Sequence, residues 1–183
     1  KSVQRNKGQC LGIDKKPLIG FYRMMDVDKD QIKHHDFFAQ LYFKFIDGKP
    51  TDAVVAYRGT DNIKNWLVDI HSWDKEALSE NRGLEQLPKY IAQAQQFYCN
   101  VREYIRHYFP ELTSKMTNIT GHSLGGALAA LAATSFSFPA LAVTFNAPGV
   151  AKMPGVHADM LGRVYNIQAR YDVISKIGKQ CTP

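Results

Sequence analysis

The sequence predicts an α/β protein whose mostly parallel sheet is covered by helices on both faces. Three observations predict this fold class. Apolar segments with strand character alternate with helical segments from residue 37 to residue 169, which is the order expected of β-α-β units. One helical segment, residues 84–108, is long and amphipathic. Near the middle of the chain, a serine flanked by glycines lies between an apolar strand and a helix of small residues.

The length of 183 residues suits a single domain with a substantial core. We expect one domain over residues 1–183, in which the polar and basic residues 1–20 form a loop or a loosely held N-terminal arm. A hydrophobic content of 45% and a charged content of 22% are typical of globular proteins. Because the chain begins at Lys1 and not at a methionine, we expect a processed product or a piece of a longer protein.

Charge and cysteine content narrow the classes of function. The net charge is +6, but the basic residues are scattered and form no nucleic-acid-binding motif, so we expect no nucleic-acid partner. A basic surface is compatible with an anionic membrane. The three cysteines, Cys10, Cys99 and Cys181, include no Cys-x-x-Cys pair and indicate neither a zinc site nor a redox pair. We expect no metal ion and no organic cofactor.

Five segments supply the elements of the fold in order. The aromatic-rich residues 37–46 and the apolar residues 53–57 predict two strands of a hairpin, joined by a turn that contains Asp-Gly. Residues 84–108 place apolar side chains at steps of three and four, which predicts a helix that covers the sheet. Residues 140–146 and 162–169 predict two further strands.

Residues 121–125, Gly-His-Ser-Leu-Gly, have the pattern of a nucleophile elbow, the strand-turn-helix unit of α/β-hydrolases. In that turn Ser123 adopts a strained conformation, and its hydroxyl stands out from the sheet edge. Gly121 and Gly125 are needed because a Cβ at either position would collide with the neighbouring strand or helix. The backbone N–H of Leu124, at the start of the following helix, is a candidate oxyanion donor. We therefore predict that Ser123 is a catalytic nucleophile.

A second informative stretch, Arg58-Gly59-Thr60, follows the predicted strand 53–57 and begins a loop. A serine esterase needs a second oxyanion donor from the loop after an early strand. Thr60 is suitably placed, because it offers both a backbone N–H and a hydroxyl.

The order of motifs resembles the class 3 lipase family: Arg-Gly-Thr after a strand, then Asn-Trp and Asp, then Gly-His-Ser-Leu-Gly-Gly-Ala about sixty residues later. This is the fungal triacylglycerol lipase type, with bacterial lipase and phospholipase A1 relatives. The resemblance covers roughly residues 37–177. It implies that Thr60 and Leu124 form the oxyanion hole, and that the segment with Ile63 and Trp66 is the mobile lid or its hinge. An anchor that packs this loop onto the domain explains Trp66 equally well.

The fold requires a catalytic acid at the end of a later strand. Asp172 follows the predicted strand 162–169, and we assign it as the residue that orients the catalytic histidine. The family places its acid in a similar Asp-x-Val or Asp-x-Ile context after such a strand. Asp159 is the competing carboxylate, but it precedes the strand.

No histidine of the chain lies where this triad requires one. The six histidines of the chain, residues 34, 35, 71, 107, 122 and 157, all precede Asp172. His122 is adjacent to Ser123 and should point away from its hydroxyl, whereas His157 as the base would break the chain order of the fold. We therefore expect the histidine beyond residue 183, in a C-terminal segment or a second chain, and we expect the fold to be incomplete at its C-terminus.

These residues predict a serine ester hydrolase that acts on lipid or phospholipid acyl esters, a lipase or phospholipase A that is inactive as the isolated chain. One alternative is a catalytically silent module of the same fold that binds lipid or a protein partner. Another is a different acyl-transfer enzyme, such as a thioesterase or an acyltransferase. The bacterial relatives implied by the resemblance include secreted effectors that attack membranes, and the basic charge is compatible with association with a membrane surface.

Overall fold

The computed structural model describes residues 9–11, 17–26, 37–59, 86–113, 117–135, 140–153 and 155–181. These residues form seven strands, two α-helices and three short 3-10 helices. The strands are β1 (Gln9–Leu11), β2 (Pro17–Asp26), β3 (Ala39–Ile46), β4 (Lys49–Tyr57), β5 (Thr117–His122), β6 (Ala140–Phe145) and β7 (Val164–Ile167). The α-helices are α1 (Gln86–Tyr108) and α2 (Leu124–Thr134), and the 3-10 helices are Pro110–Leu112, Ala158–Arg163 and Ile174–Lys176.

The seven strands form one sheet in the order of the chain, from β1 to β7. Strands β1 to β4 pair antiparallel, and strands β4 to β7 pair parallel. The α/β class is as predicted, with the parallel strands in the half of the sheet that carries Ser123. Because parallel strands point the same way, the carboxyl ends of β4, β5, β6 and β7 share one edge.

The amino-terminal strands differ from the sequence prediction. Residues 9–11 and 17–20, expected in a loop or a loosely held arm, lie in β1 and β2. Tyr22 of β2 pairs with Gln9 on one side and with Phe43 of β3 on the other. Residues 9–11 and 17–20 have the local composition of a loop. They are strands because they pair with the neighbouring strands of the sheet.

The turn between β3 and β4 confirms the predicted hairpin. Asp47 and Gly48 have φ values of 49° and 75°, and Ile46 pairs with Lys49 across them. Two consecutive residues of positive φ make the tight turn whose twist matches paired strands, and Asp-Gly is a favoured pair for it. Since β4 then runs parallel to β5, the chain after Tyr57 emerges at the edge that carries the elbow.

Helix α1 lies where the apolar spacing predicts a helix. Its buried stripe packs on β3 and β4 and includes Ala94, Tyr98, Val101 and Ile105. The hydroxyl of Tyr57 donates to the carbonyl oxygen of Ala94 at 2.8 Å, which ties the helix to β4. Burial holds the pKa of Tyr57 well above its ordinary value, so this phenol stays neutral and serves the packing.

Helix α2 is buried along its whole length. Its small residues let it approach the sheet closely: a Cβ on Gly126 would lie 2.6 Å from the Cβ of Ala147. Both α-helices of the described residues cover the same face of the sheet, while Phe145, Tyr165 and Ile167 on the opposite face are largely exposed. In the part of the chain that the structure describes, neither helix has the length and apolar character needed to cross a membrane.

Candidate active site

Ser123 lies in the tight turn between β5 and α2, as the elbow pattern predicts. Its φ of 55° and ψ of −123° are a conformation that non-glycine residues rarely adopt. Its N–H donates to the carbonyl oxygen of Phe145, at the end of β6, at 3.0 Å. Its carbonyl oxygen accepts from the N–H groups of Gly126 and Ala127 at 3.0 and 3.2 Å. The strained residue is therefore held by hydrogen bonds to both the sheet and the helix.

Two glycines allow the strand and the helix to meet at this turn. A Cβ on Gly121 would lie 2.3 Å from the carbonyl carbon of Gly125, and a Cβ on Gly125 would lie 2.2 Å from the carbonyl oxygen of Tyr57. Real Cβ contacts are longer than 3.0 Å, and the opposing atoms are backbone atoms that cannot turn aside. The prediction that any Cβ at these positions would collide is confirmed.

The hydroxyl of Ser123 is buried and has no hydrogen-bond partner among the described residues. The residue is 3% exposed, so its hydroxyl is enclosed by protein at the end of β5. A buried polar group without a partner costs about 1–3 kcal/mol, so one in a native structure calls for an explanation. The Oγ atom is thus free, within the described residues, to bond a base and a substrate.

The N-terminus of α2 is directed at this serine. Leu124 is the first residue of the helix, so its N–H has no acceptor within the helix. The helix contains no charged side chain and all of its residues are buried, so its partial positive charge at this end is poorly screened. This end of the helix favours a negative charge that develops next to Ser123.

The loop that follows β4 begins beside the serine. Thr60, the second predicted oxyanion donor, lies outside the described residues, as do the predicted lid residues Ile63 and Trp66. Gly59, directly before Thr60, is described, and a Cβ built on it would lie 3.7 Å from the Cβ of Ser123. The chain after β4 therefore passes next to the elbow at Gly59.

Asp172 follows β7 at the sheet edge where Ser123 follows β5. The two strands are second neighbours in the sheet, which separates them by about 10 Å. The Oδ2 atom of Asp172 accepts from the N–H of Ser175 at 2.6 Å, and its N–H donates to the carbonyl oxygen of Ala169 at 3.1 Å. Asp159 is exposed in the 3-10 helix before β7, towards the opposite edge. Of the two carboxylates, the structure brings only Asp172 to the edge of the serine.

The described histidines do not face the hydroxyl of Ser123. His107 is exposed in the last turn of α1, and His122 is exposed on the face of the sheet away from α2. The N–H of His157 donates to the carbonyl oxygen of Thr134, the last residue of α2. Since α2 has 11 residues, His157 lies about 16 Å along the helix from the serine, which removes it as the base. The histidines at positions 34, 35 and 71 lie outside the described residues.

Asn146 is a residue of the site that the sequence pattern did not identify. Its φ of 47° is in the left-handed region. Its N–H donates to the carbonyl oxygen of Ile167 at 2.9 Å, and its Oδ1 accepts from the N–H of Ala169 at 2.7 Å. It thereby closes the start of the loop that carries Asp172. The signal in the sequence was an asparagine between a strand and Ala-Pro-Gly, a composition favoured in turns.

We expect Asn146→Ala to be less stable than Asn146→Gly by roughly 1 kcal/mol, although both lose the same side-chain hydrogen bond. Alanine adopts positive φ with strain, whereas glycine does not. Urea unfolding of the two variants measures the difference. An alanine variant as stable as the glycine variant would show that the positive φ is not needed at this position.

The described residues also bear on metal and thiol chemistry. Within them, no group of three His, Cys, Asp or Glu side chains is arranged to hold a metal ion. Burial raises the pKa of the Cys181 thiol, and burial together with Glu103 raises that of Cys99. A thiol that stays protonated is a poor nucleophile and a poor metal ligand, so neither cysteine competes with Ser123.

Comparisons with known proteins agree on one family. Residues 54–179, more than half of the chain, match the family model described as Lipase (class 3). A search of curated proteins finds no match. Among solved structures, the native Rhizomucor miehei lipase–propeptide complex is 17% identical, with a TM-score of 0.51 over 85% of this chain and 51% of that chain. A fungal lipase–inhibitor complex, solved as a model for interfacial activation, is 20% identical, with a TM-score of 0.47 over 76% of this chain and 55% of that chain.

The chain spans about half the length of these solved lipases. The family match extends from β4 to the segment after Asp172, so it includes Gly59, the Ser123 elbow and Asp172. The chain belongs to the class 3 lipase family.

Proposed function

We propose that this protein is a serine ester hydrolase that acts on lipid or phospholipid acyl esters, with Ser123 as the nucleophile. One observation carries the proposal: Ser123 is strained, lies at the N-terminus of a buried helix and has a buried hydroxyl with no partner among the described residues. For a purely structural serine, the unpaired buried hydroxyl is a cost of about 1–3 kcal/mol. Membership of the class 3 lipase family supports the same activity.

In the proposed reaction, Oγ of Ser123 attacks the acyl carbonyl carbon while the base takes its proton, which leaves a tetrahedral intermediate with one negative oxygen. The backbone N–H of Leu124, with Thr60, stabilises that oxygen. The base then protonates the leaving alcohol, and an acyl-enzyme remains. A water molecule deprotonated by the same base hydrolyses it and releases the carboxylic acid. Asp172 orients the imidazole and stabilises its protonated form.

The base in this proposal is a histidine from outside residues 1–183, in a later segment of the same polypeptide or in a second chain. His107, His122 and His157 are all unsuitable by position, as described above. The segment with Ile63 and Trp66 is the proposed lid over the site.

A second candidate is a catalytically silent module that binds lipid or a protein partner. The absence of a suitably placed histidine among the described residues favours it. Lipid binding that survives Ser123→Ala, in a protein without ester turnover, is the result that this candidate predicts.

The test of the proposed function is labelling with a fluorophosphonate, which phosphonylates activated serines, followed by mass spectrometry of the labelled peptide. Two samples are compared, the chain of residues 1–183 and the protein produced from the complete gene. We expect Ser123 to be labelled in the complete protein and not in the shorter chain, because a serine without its base is a weak nucleophile. Ser123→Ala is the control that shows the label is on this residue.

Each other outcome contradicts a part of the proposal. Labelling of Ser123 in the chain of residues 1–183 would show that the base is within it, and would direct mutagenesis to the histidines at positions 34, 35 and 71. No labelling in either sample, with lipid binding unchanged in Ser123→Ala, would replace the hydrolase with the silent module.

A further inference from the structure

Side-chain amides connect the sheet to the loop that carries Asp172. The first is that of Asn166, in β7. Its Oδ1 accepts from the hydroxyl of Thr144 at 3.0 Å and from the N–H of Ala147 at 3.1 Å. Its Nδ2 donates to the carbonyl oxygen of Ala147 at 2.7 Å and to Oε1 of Gln180 at 3.0 Å. Two donated and two accepted bonds use the full capacity of an asparagine amide, so Asn166 joins β6 and β7 rigidly to the C-terminal segment.

Gln180 continues this connection to the acid. Its Nε2 donates to the carbonyl oxygen of Ser175 at 2.8 Å. Ser175 is 2% exposed, and its N–H donates to Oδ2 of Asp172 at 2.6 Å. The backbone beside Gln180 is itself held, because the carbonyl oxygen of Lys179 accepts from the N–H of Ala151 at 2.9 Å. Gln180 thus binds Ser175, and Ser175 in turn binds the carboxylate of Asp172.

Packing buries Ile174 and Ser175 in the 3-10 helix after Asp172, but it does not enclose the side chains next to the carboxylate. Tyr171 and Val173, on either side of Asp172, are 84% and 69% exposed. Neither neighbour can therefore hold the acid by contact with a core. Among the described residues, the hydrogen bond that reaches the carboxylate oxygen comes from the N–H of Ser175, and it sets the direction of the carboxylate.

We propose that Asn166 and Gln180 are positioning residues for the reaction, which act by keeping Ser175 and hence the carboxylate of Asp172 in place. The inference rests on the proposed function, in which Asp172 orients the catalytic histidine. A triad acid acts through the direction of its hydrogen bond, and a misplacement of about 1 Å can lower a rate by about 100-fold.

The experiment compares Gln180→Met with the parent in the full-length protein, with hydrolysis of a p-nitrophenyl acyl ester as the readout. Methionine keeps the length of the side chain and removes every hydrogen bond of the amide. We expect kcat to fall by up to about 100-fold with little change in KM. The matched control is Gln96→Met, on the exposed face of α1, where the amide donates to Oδ1 of Asn100. We expect this control to keep the parental kcat and KM.

The pH dependence separates positioning from general loosening of the fold. A nearby carboxylate raises the pKa of an imidazole, so displacement of Asp172 leaves the base with a lower pKa. The base then loses its proton at lower pH, and the acidic limb of the kcat/KM profile moves to lower pH in Gln180→Met. The profile of Gln96→Met should not move.

Asp172→Asn provides the second reference. It should lower turnover by about 10⁴-fold, and Gln180→Met should cause no further loss in that background. If Asp172→Asn is inactive but Gln180→Met keeps the parental kcat and pH profile, or loses the same factor in both backgrounds, the inference is overturned and the proposed function stands. If Asp172→Asn keeps full turnover, Asp172 is not the triad acid and the inference falls with that assignment, whereas a parent protein without ester turnover would reject the proposed function itself.

A second variant keeps the test decisive if Gln180→Met does not fold. Gln180→Glu retains the length of the side chain and the acceptor for Asn166, but it cannot donate to Ser175. The same fall in kcat is expected, and a parental kcat would overturn the inference. The pH profile is compared only for Gln180→Met, because the added carboxylate of Gln180→Glu itself raises the pKa of a nearby imidazole.

Discussion

Ser123→Ala is expected to lower ester turnover by on the order of 10⁶-fold, because in the proposed mechanism no other group forms the acyl-enzyme. The free energy of unfolding should not fall, since the substitution removes a buried hydroxyl that has no partner among the described residues. Initial rates of p-nitrophenyl ester hydrolysis by the full-length protein measure the first quantity, and urea unfolding measures the second.

Ser135→Ala is the matched control for this variant. Ser135 lies at the opposite end of α2, where its hydroxyl donates to the carbonyl oxygen of Leu131 at 2.7 Å and accepts from Gln95 at 2.9 Å. We expect the control to lose about 1 kcal/mol of stability and to keep its turnover. Undiminished turnover in Ser123→Ala would reject the serine as nucleophile.

Gly125→Ala is expected to destabilise the protein by about 3 kcal/mol or more, at the upper end of the cost of overpacking. The new Cβ would lie 2.2 Å from the carbonyl oxygen of Tyr57 and 2.7 Å from the carbonyl carbon of Arg58. Both are backbone atoms at the end of β4, so relief of the clash requires α2 and β4 to move apart. Because Gly59, after β4, lies next to Ser123, a movement of β4 away from α2 would also disturb the serine. We therefore expect turnover to be lost together with stability.

Gly162→Ala controls for the general effect of replacing a glycine. A Cβ at Gly162 would have no neighbour within 4 Å, and the φ of this residue is not positive. We expect its free energy of unfolding to stay within about 0.5 kcal/mol of the parent. Urea unfolding of both variants gives the comparison, and equal stabilities would show that the elbow tolerates a wider separation of strand and helix.

The elbow, the hairpin turn and the long helix were predictable because their signals are local. Ser123 and its two glycines lie within five residues, and the apolar stripe of α1 recurs at each turn of the helix. Asp172 was predictable for a related reason. The carboxyl ends of parallel strands meet at one edge, so a carboxylate after β7 comes to the edge of a serine after β5.

The supporting residues were not predictable in the same way. Asn166 and Gln180 are 14 positions apart, and no periodic pattern relates an amide in a strand to an amide near the C-terminus. The sequence leaves His157 as a candidate for the base, and only its position beyond the last turn of α2 removes it. In each case the partner of a polar group depends on how distant segments pack.

The sequence by itself determined the local elements of this protein and, through their order, the sheet edge that carries Ser123 and Asp172. Only the tertiary structure decided that residues 9–11 and 17–20 join the sheet, that the hydroxyl of Ser123 is buried, and that the side-chain amides of Asn166 and Gln180 bond to each other. The physical reason is that turns and helices are stabilised by neighbours in the chain. Strand pairing, burial and side-chain hydrogen bonds form instead between residues far apart in the chain, whose partners local composition does not specify.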